Sequence, residues 1–181
     1  MDSDKLKKHM KCMFSMQSHI VDRLSSALNY EAVERLIEKI KSCNKAGGTV
    51  LFMGKGVSGS VCNSAAFMLR RAGICSIHVP MSDDVMSQAG SVRRDDLAIV
   101  VSKRGINSDV YQMAKMAKER GAYIFTVTNY PASPLAVWAD DMLLVPLERE
   151  VMDEEYLGAS SGVAMMSLFN SVASVIREEN N

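Results

Sequence analysis

The stretch Thr49–Gly59, TVLFMGKGVSG, concentrates residue types that bind anions. Four apolar residues, Val50, Leu51, Phe52 and Met53, run into Gly54-Lys55-Gly56-Val57-Ser58-Gly59, and a small and apolar segment follows from Ser60 to Arg71. A short apolar run with β-branched and aromatic content, ended by glycine, predicts a buried parallel strand, and the segment after it predicts a helix. Such a strand–turn–helix unit aims free backbone N–H groups and the positive end of the helix dipole at one point above the strand tip. Ser58 adds a hydroxyl there, and phosphate is the anion this arrangement suits. Two other readings use the same residues. Gly54, Gly56 and Gly59 satisfy G-x-G-x-x-G, a dinucleotide fingerprint that also needs an acidic residue at the tip of the next strand. The next predicted strand, Ile74–Val79, ends in Pro80-Met81-Ser82, and Asp83 and Asp84 follow only after the turn. The glycines could also do no more than permit a tight turn. The displaced acids favour a phosphate cradle without a nucleotide.

A second loop has similar chemistry. The predicted strand Leu97–Val101 ends in Ser102-Lys103-Arg104-Gly105-Ile106-Asn107-Ser108-Asp109. A serine again sits at a strand tip, with a glycine after it. Lys103 and Arg104 add two cations, and a guanidinium can grip phosphate through two parallel hydrogen bonds. Asn107, Ser108 and Asp109 are equally good helix N-caps, and Arg104 equally a surface arginine. The histidines are dispersed: His9 reads as surface, His19 lies on the first helix, and His78 falls inside strand two as a packing residue. Cys12, Cys43, Cys62 and Cys75 have no C-x-x-C spacing and no neighbouring histidine pairs, which disfavours zinc and a disulfide framework. Cys62 and Cys75 read as small core residues in a reducing compartment.

The elements that must position these loops alternate along the chain. Strands are expected at 50–53, 74–79, 97–101, 123–127 and 142–145, with helices at 60–71, 108–120 and about 160–177. Near-continuous apolar strands alternating with helices predict an α/β fold: a three-layer α-β-α sandwich around a five-stranded, doubly wound parallel sheet. Ligands of such sheets bind at the carboxyl ends of the strands, where both serine loops lie. Two helices come first, Asp4 to about Leu28 with a roughly heptad apolar stripe and Tyr30–Cys43, packing across the sheet or on a neighbouring subunit. At 181 residues the expectation is one domain, with a helical pair at 1–45 and an α/β core at 46–181. With 21 basic and 21 acidic residues, the neutral chain gives no footprint for nucleic acid or an anionic membrane. No segment is long and apolar enough for a membrane span or signal peptide, so a cytoplasmic protein is expected. The apolar stripes of the first and last helices exceed what one sheet face covers, which predicts a homodimer or homotetramer.

Taken together, GKGVSG after strand one, SKRGIN after strand three, VTNYPASPLAVWAD after strand four and the closing helix resemble the sugar isomerase (SIS) domain family over nearly the whole chain. The chain looks most like its single-domain phosphosugar isomerases, the arabinose-5-phosphate and 6-phospho-3-hexulose types. The resemblance implies a flavodoxin-like fold, a sugar-phosphate ligand, and a phosphate held by Gly54, Gly56, Ser58 and Gly59 together with Ser102, Lys103, Arg104 and Asn107. Asn107 takes the place usually held by threonine, and Arg104 that of the loop's second serine. The family's glutamate after the loop glycine is Ile106 here, and the basic residue before the first serine is Val57. The histidine after strand two becomes Met86, and the glutamate opening the last helix in hexuloisomerases becomes Gly162.

Aldose–ketose isomerisation passes a proton through an enediol and needs one base near C1 and C2, with no metal or cofactor. The candidates are Glu148, Glu150, Asp153, Glu154 and Glu155, in the loop after strand five. Glu150 matches the place of a carboxylate in the arabinose-5-phosphate isomerases, and His19 matches the idea of a residue reaching a neighbouring subunit's site. An acidic run of this kind is equally a solvated loop. Three functions are therefore carried forward: an isomerase with Glu150 and His19 as catalytic candidates, a non-catalytic phosphosugar-binding module, and a nucleotide binder.

Overall fold

Five short apolar runs pair into one parallel sheet in a computed structural model that describes residues 2–80, 91–146 and 159–180, with the side chains at 159 and 160 excepted. The strands are β1 (Val50–Met53), β2 (Ser76–Val79), β3 (Leu97–Val101), β4 (Tyr123–Thr128) and β5 (Asp141–Leu144). Their spatial order is β2-β1-β3-β4-β5, every pair parallel, with Phe52 level with His78 on one side and Ile99 on the other. This is the flavodoxin-like order, in which the winding direction reverses between β1 and β3.

Helices cover both faces. They are α1 (Ser3–Ala27), α2 (Tyr30–Lys45), α3 (Val57–Arg71), α4 (Ser108–Glu119), α5 (Pro134–Trp138) and α6 (Ala159–Glu179). Successive strand residues point to opposite faces, which divides the core in two. Val50, Phe52, Leu97, Ile99, Val101, Phe125 and Val127 pack under α1, α2, α3 and α6. Leu51, Met53, Ala98, Val100 and Ile124 pack under α4 and α5. Caps fix where several helices begin: the Asn29 Oδ1 accepts from Ala32 N at 3.1 Å and the Ser133 Oγ from Ala136 N at 3.3 Å. No helix among the described residues is long and apolar enough to cross a membrane.

The layered α/β architecture matches the sequence reading, with local differences. α2 lies on the sheet, burying Leu36 and Ile40, and Arg35 pairs with Asp141 of β5 at 2.8 Å. α1 packs on α6 instead, through Ile20 and Leu24. β2 begins at Ser76, two residues late, and α3 begins at Val57, three residues early. The expected core role of Cys75 is corrected: it is exposed just before β2, whereas Cys43 and Cys62 are buried. Burial pushes the Cys43 thiol up to about 11 and the Cys62 thiol up as well, so neither is a nucleophile.

Candidate functional site

Because β1 and β3 are adjacent and parallel, their tips bring the two serine loops together at the switch point. The first loop is built on glycine for steric reasons. A Cβ at Gly59 would lie 2.9 Å from the Gly54 carbonyl oxygen, and one at Gly54 would lie 2.8 Å from the Cys62 Sγ. Only bare backbone lets α3 press this closely onto the end of β1. Gly56 is the N-cap of α3, with φ 61° and ψ −131°, and it offers no side chain to cap the helix. The first N–H groups of α3 therefore face the strand tips, available to an anion.

The second loop is tied down by its backbone. The Lys103 carbonyl accepts from Asn129 N at 3.1 Å and from the Thr128 hydroxyl at 3.0 Å. Asn129 is buried and donates through Nδ2 to the Val145 carbonyl at 2.7 Å, joining the tips of β3, β4 and β5. Ser102 is buried, and its Oγ accepts from Gly105 N at 3.2 Å, which leaves the hydroxyl proton for another acceptor.

Between the loops lies an open cleft of about 400 Å³ lined by Lys55, Ser58, Ser102, Lys103, Arg104 and Asn107. A neighbouring cleft of about 420 Å³ is lined by Gly54, Lys55, Gly56, Gly59, Asn63 and His78. Lys55 belongs to both, and its Nζ is 2.5 Å from the Asp109 carboxylate at the start of α4. That hydrogen bond and charge hold the Asp109 carboxyl below the usual carboxylate range. The His78 Nε2 is buried with no hydrogen-bond partner among the described residues, and burial lowers its pKa, leaving a neutral imidazole at pH 7.

The predicted binding residues thus fall into two adjoining groups. Ser58, Ser102, Lys103, Arg104 and Asn107 share the first cleft, and Gly54, Gly56 and Gly59 the second. Asn107 is also engaged structurally, its Oδ1 accepting from Val110 N at 3.1 Å as the N-cap of α4. His19 is exposed on α1 and lines neither cleft. Glu150 lies outside the described residues, as do Met86, Glu148, Asp153, Glu154 and Glu155. The sequence reading missed the Lys55–Asp109 pair and the place of His78 beside the glycine turn. Opposite charges in loops of neighbouring strands were the available signal for the pair. It also missed that Val57 and Gly162 meet: a Cβ on Gly162 would lie 2.8 Å from the Val57 Cγ1.

Comparison with known proteins agrees with this geometry. The SIS domain model matches residues 44–175. The chain is 33% identical over 136 residues to the 3-hexulose-6-phosphate isomerase of Mycobacterium gastri, covering 72% of this chain and 62% of that protein. Its structure resembles that of an E. coli CFT073 protein in complex with a sugar-phosphate ligand, with TM-score 0.90, 23% identity, and 99% and 94% of the two chains covered. It also resembles the Vibrio vulnificus NanR protein complexed with ManNAc-6P, with TM-score 0.80, 19% identity, and 94% and 62% covered. At these identities the two structures show a shared fold. The chain spans 44% to 62% of the length of the first curated relatives it matches.

Proposed function

Because the chain belongs to the SIS domain family, we propose that it is a sugar-phosphate isomerase holding its substrate's phosphate at the β1/β3 switch point. The observation carrying this reading is one cleft that gathers two serine hydroxyls, Ser58 and Ser102, with Lys55, Lys103 and Arg104, beside the uncapped start of α3. Hydroxyl and N–H donors with flanking cations match a phosphate's oxygens and charge. The sugar phosphates bound in two similar structures support the same ligand class.

Anchoring the phosphate fixes where the sugar carbons lie, and positioning of this kind supplies several kcal/mol toward the barrier. A carboxylate then moves the proton between C1 and C2 while nearby donors stabilise the enediolate oxygen. We assign the base to Glu150, on the loop that follows β5 and so leaves the same edge of the sheet. The test is a panel of aldose and ketose phosphates in deuterated water, read for exchange at C1 or C2. The expected result is exchange with one phosphosugar, abolished in Glu150→Gln with binding retained. Exchange that survives replacement of Glu150 removes it from the mechanism.

A second reading, a sugar-phosphate sensor without catalysis, draws on the contact between Val57 and Gly162. The resemblance implies a basic residue at the first position and, in hexuloisomerases, a glutamate at the second. Here the two places are filled by a mutually packed apolar pair. A phosphosugar that raises the melting temperature without any exchange selects this reading over the isomerase.

A further inference from the structure

Helix α1 has 25 residues and buries only Ile20 and Leu24 in its own domain. Residues 3–12 are exposed throughout, yet Leu6, Met10 and Phe14 carry an apolar stripe along this half, Phe14 at 58% exposure. A helical half of about three turns gains little stability from its own hydrogen bonds in water and needs its apolar face covered. The stripe does not stop at Phe14. Met10, Phe14, Gln17, Val21, Leu24 and Leu28 follow one another in alternating steps of four and three, the spacing of a coiled-coil seam. Its second half forms one wall of an apolar groove of about 340 Å³ between α1, α2 and α6, walled also by Ile37, Leu168 and Val172.

We infer that this surface is an interface with a second copy of the chain, in which α1 pairs antiparallel with its twin about a two-fold axis at Gln17. Three observations select that occupant. The bare stripe and the groove are consecutive parts of one seam, so a two-fold operation places each copy's bare half in the other's groove in a single step. Antiparallel pairing centred on Gln17 sets Leu6 against Leu28 and Met10 against Leu24, with Phe14 beside Val21, so every apolar position finds an apolar partner. Charges agree as well. The bare half carries Lys5, Lys7, Lys8 and Lys11, while Glu34 lines the groove and Asp22 lies on α1 next to Val21. Gln17, the polar member of the seam, meets its own counterpart on the axis, where an amide pair can hydrogen-bond and fix the register. The assembly is independent of which reaction, if any, the cleft performs.

The test uses the full chain. Light scattering at micromolar concentration gives a dimer, or a multiple of it, and Phe14→Glu halves the mass. Phe14 is exposed in the single chain, so this variant keeps the wild-type circular dichroism and its sugar-phosphate thermal shift. In a Cys12→Ser background, Gln17→Cys forms a disulfide-linked dimer under oxidised glutathione, whereas Lys8→Cys, far from the axis, does not. A monomeric wild type, or a mass unchanged by Phe14→Glu, overturns the interface. Cross-linking at position 8 but not at 17 overturns the antiparallel register.

Discussion

Lys55 lines both clefts and is already paired with Asp109, so an incoming phosphate competes with a carboxylate for it. Lys55→Met is expected to weaken sugar-phosphate binding about tenfold, the scale of one charge-assisted hydrogen bond. Asp109→Asn is expected to strengthen it by freeing the ammonium, and isothermal calorimetry on the two variants reads opposite signs. The pH dependence follows from the lowered Asp109 pKa. A depressed carboxyl contributes above its ordinary pKa of about 3.9 and loses that contribution as pH falls through the folded value. The pair is therefore constant from pH 5 to 8, and any change in affinity there, about pH 6, follows the phosphate's second ionisation. Gly59 sets a steric limit at the same turn. Its missing Cβ would face the Gly54 carbonyl at 2.9 Å, and backbone cannot swing aside. Gly59→Ala should cost about 1–3 kcal/mol by urea denaturation and abolish the phosphate-dependent thermal shift.

Two helices start at the cleft, and each start makes its own prediction. Asn107 caps α4 through its Oδ1, so Asn107→Ala should lower stability by about 1 kcal/mol while Asn107→Thr, a weaker cap, loses less. Near-unchanged phosphosugar affinity in both variants would mark the residue as a cap; a large loss of affinity at unchanged stability would mark it as a ligand contact. The start of α3 meets the start of α6 where Val57 faces Gly162. Val is stiff at χ1 and has no flexible end to move away, so Gly162→Ala should destabilise by about 1–2 kcal/mol. In a Val57→Ala background the same substitution should cost less than about 0.5 kcal/mol, the non-additivity of residues in contact. Additive costs in that double-mutant cycle would mean that the helices are not held together at this point.

Across the whole molecule, the layered fold was legible because its strands are short apolar runs and its helices show one-sided periodicity, signals that survive without tertiary knowledge. The glycine turn was legible for a similar reason, since Gly54, Gly56 and Gly59 are spaced by the backbone's own demands. Pairings across sequence distance were not. Lys55 with Asp109 and Val57 with Gly162 are set by which strand neighbours which, and the order β2-β1-β3-β4-β5 is written in no single segment. Cys75 misled because its apolar neighbours suggested the strand core, whereas β2 starts one residue later. The same topology makes the two helical layers interdependent, because both rest on alternate residues of the same strands. Phe169 of α6 meets Phe52 of β1 edge to face at 5.2 Å in one layer. Trp138, the single tryptophan, packs against Tyr111 at 5.3 Å on the opposite face. Phe169→Ala should remove about 3–5 kcal/mol, a large share of the roughly 5–15 kcal/mol typical of a domain. If the strands couple the layers, Trp138 fluorescence must report that loss from across the sheet. At fixed protein concentration, its urea midpoint should fall by the same amount as the far-UV circular dichroism midpoint, in one coincident transition. A Trp138 midpoint left at the wild-type value would mean that the α4–α5 layer unfolds by itself.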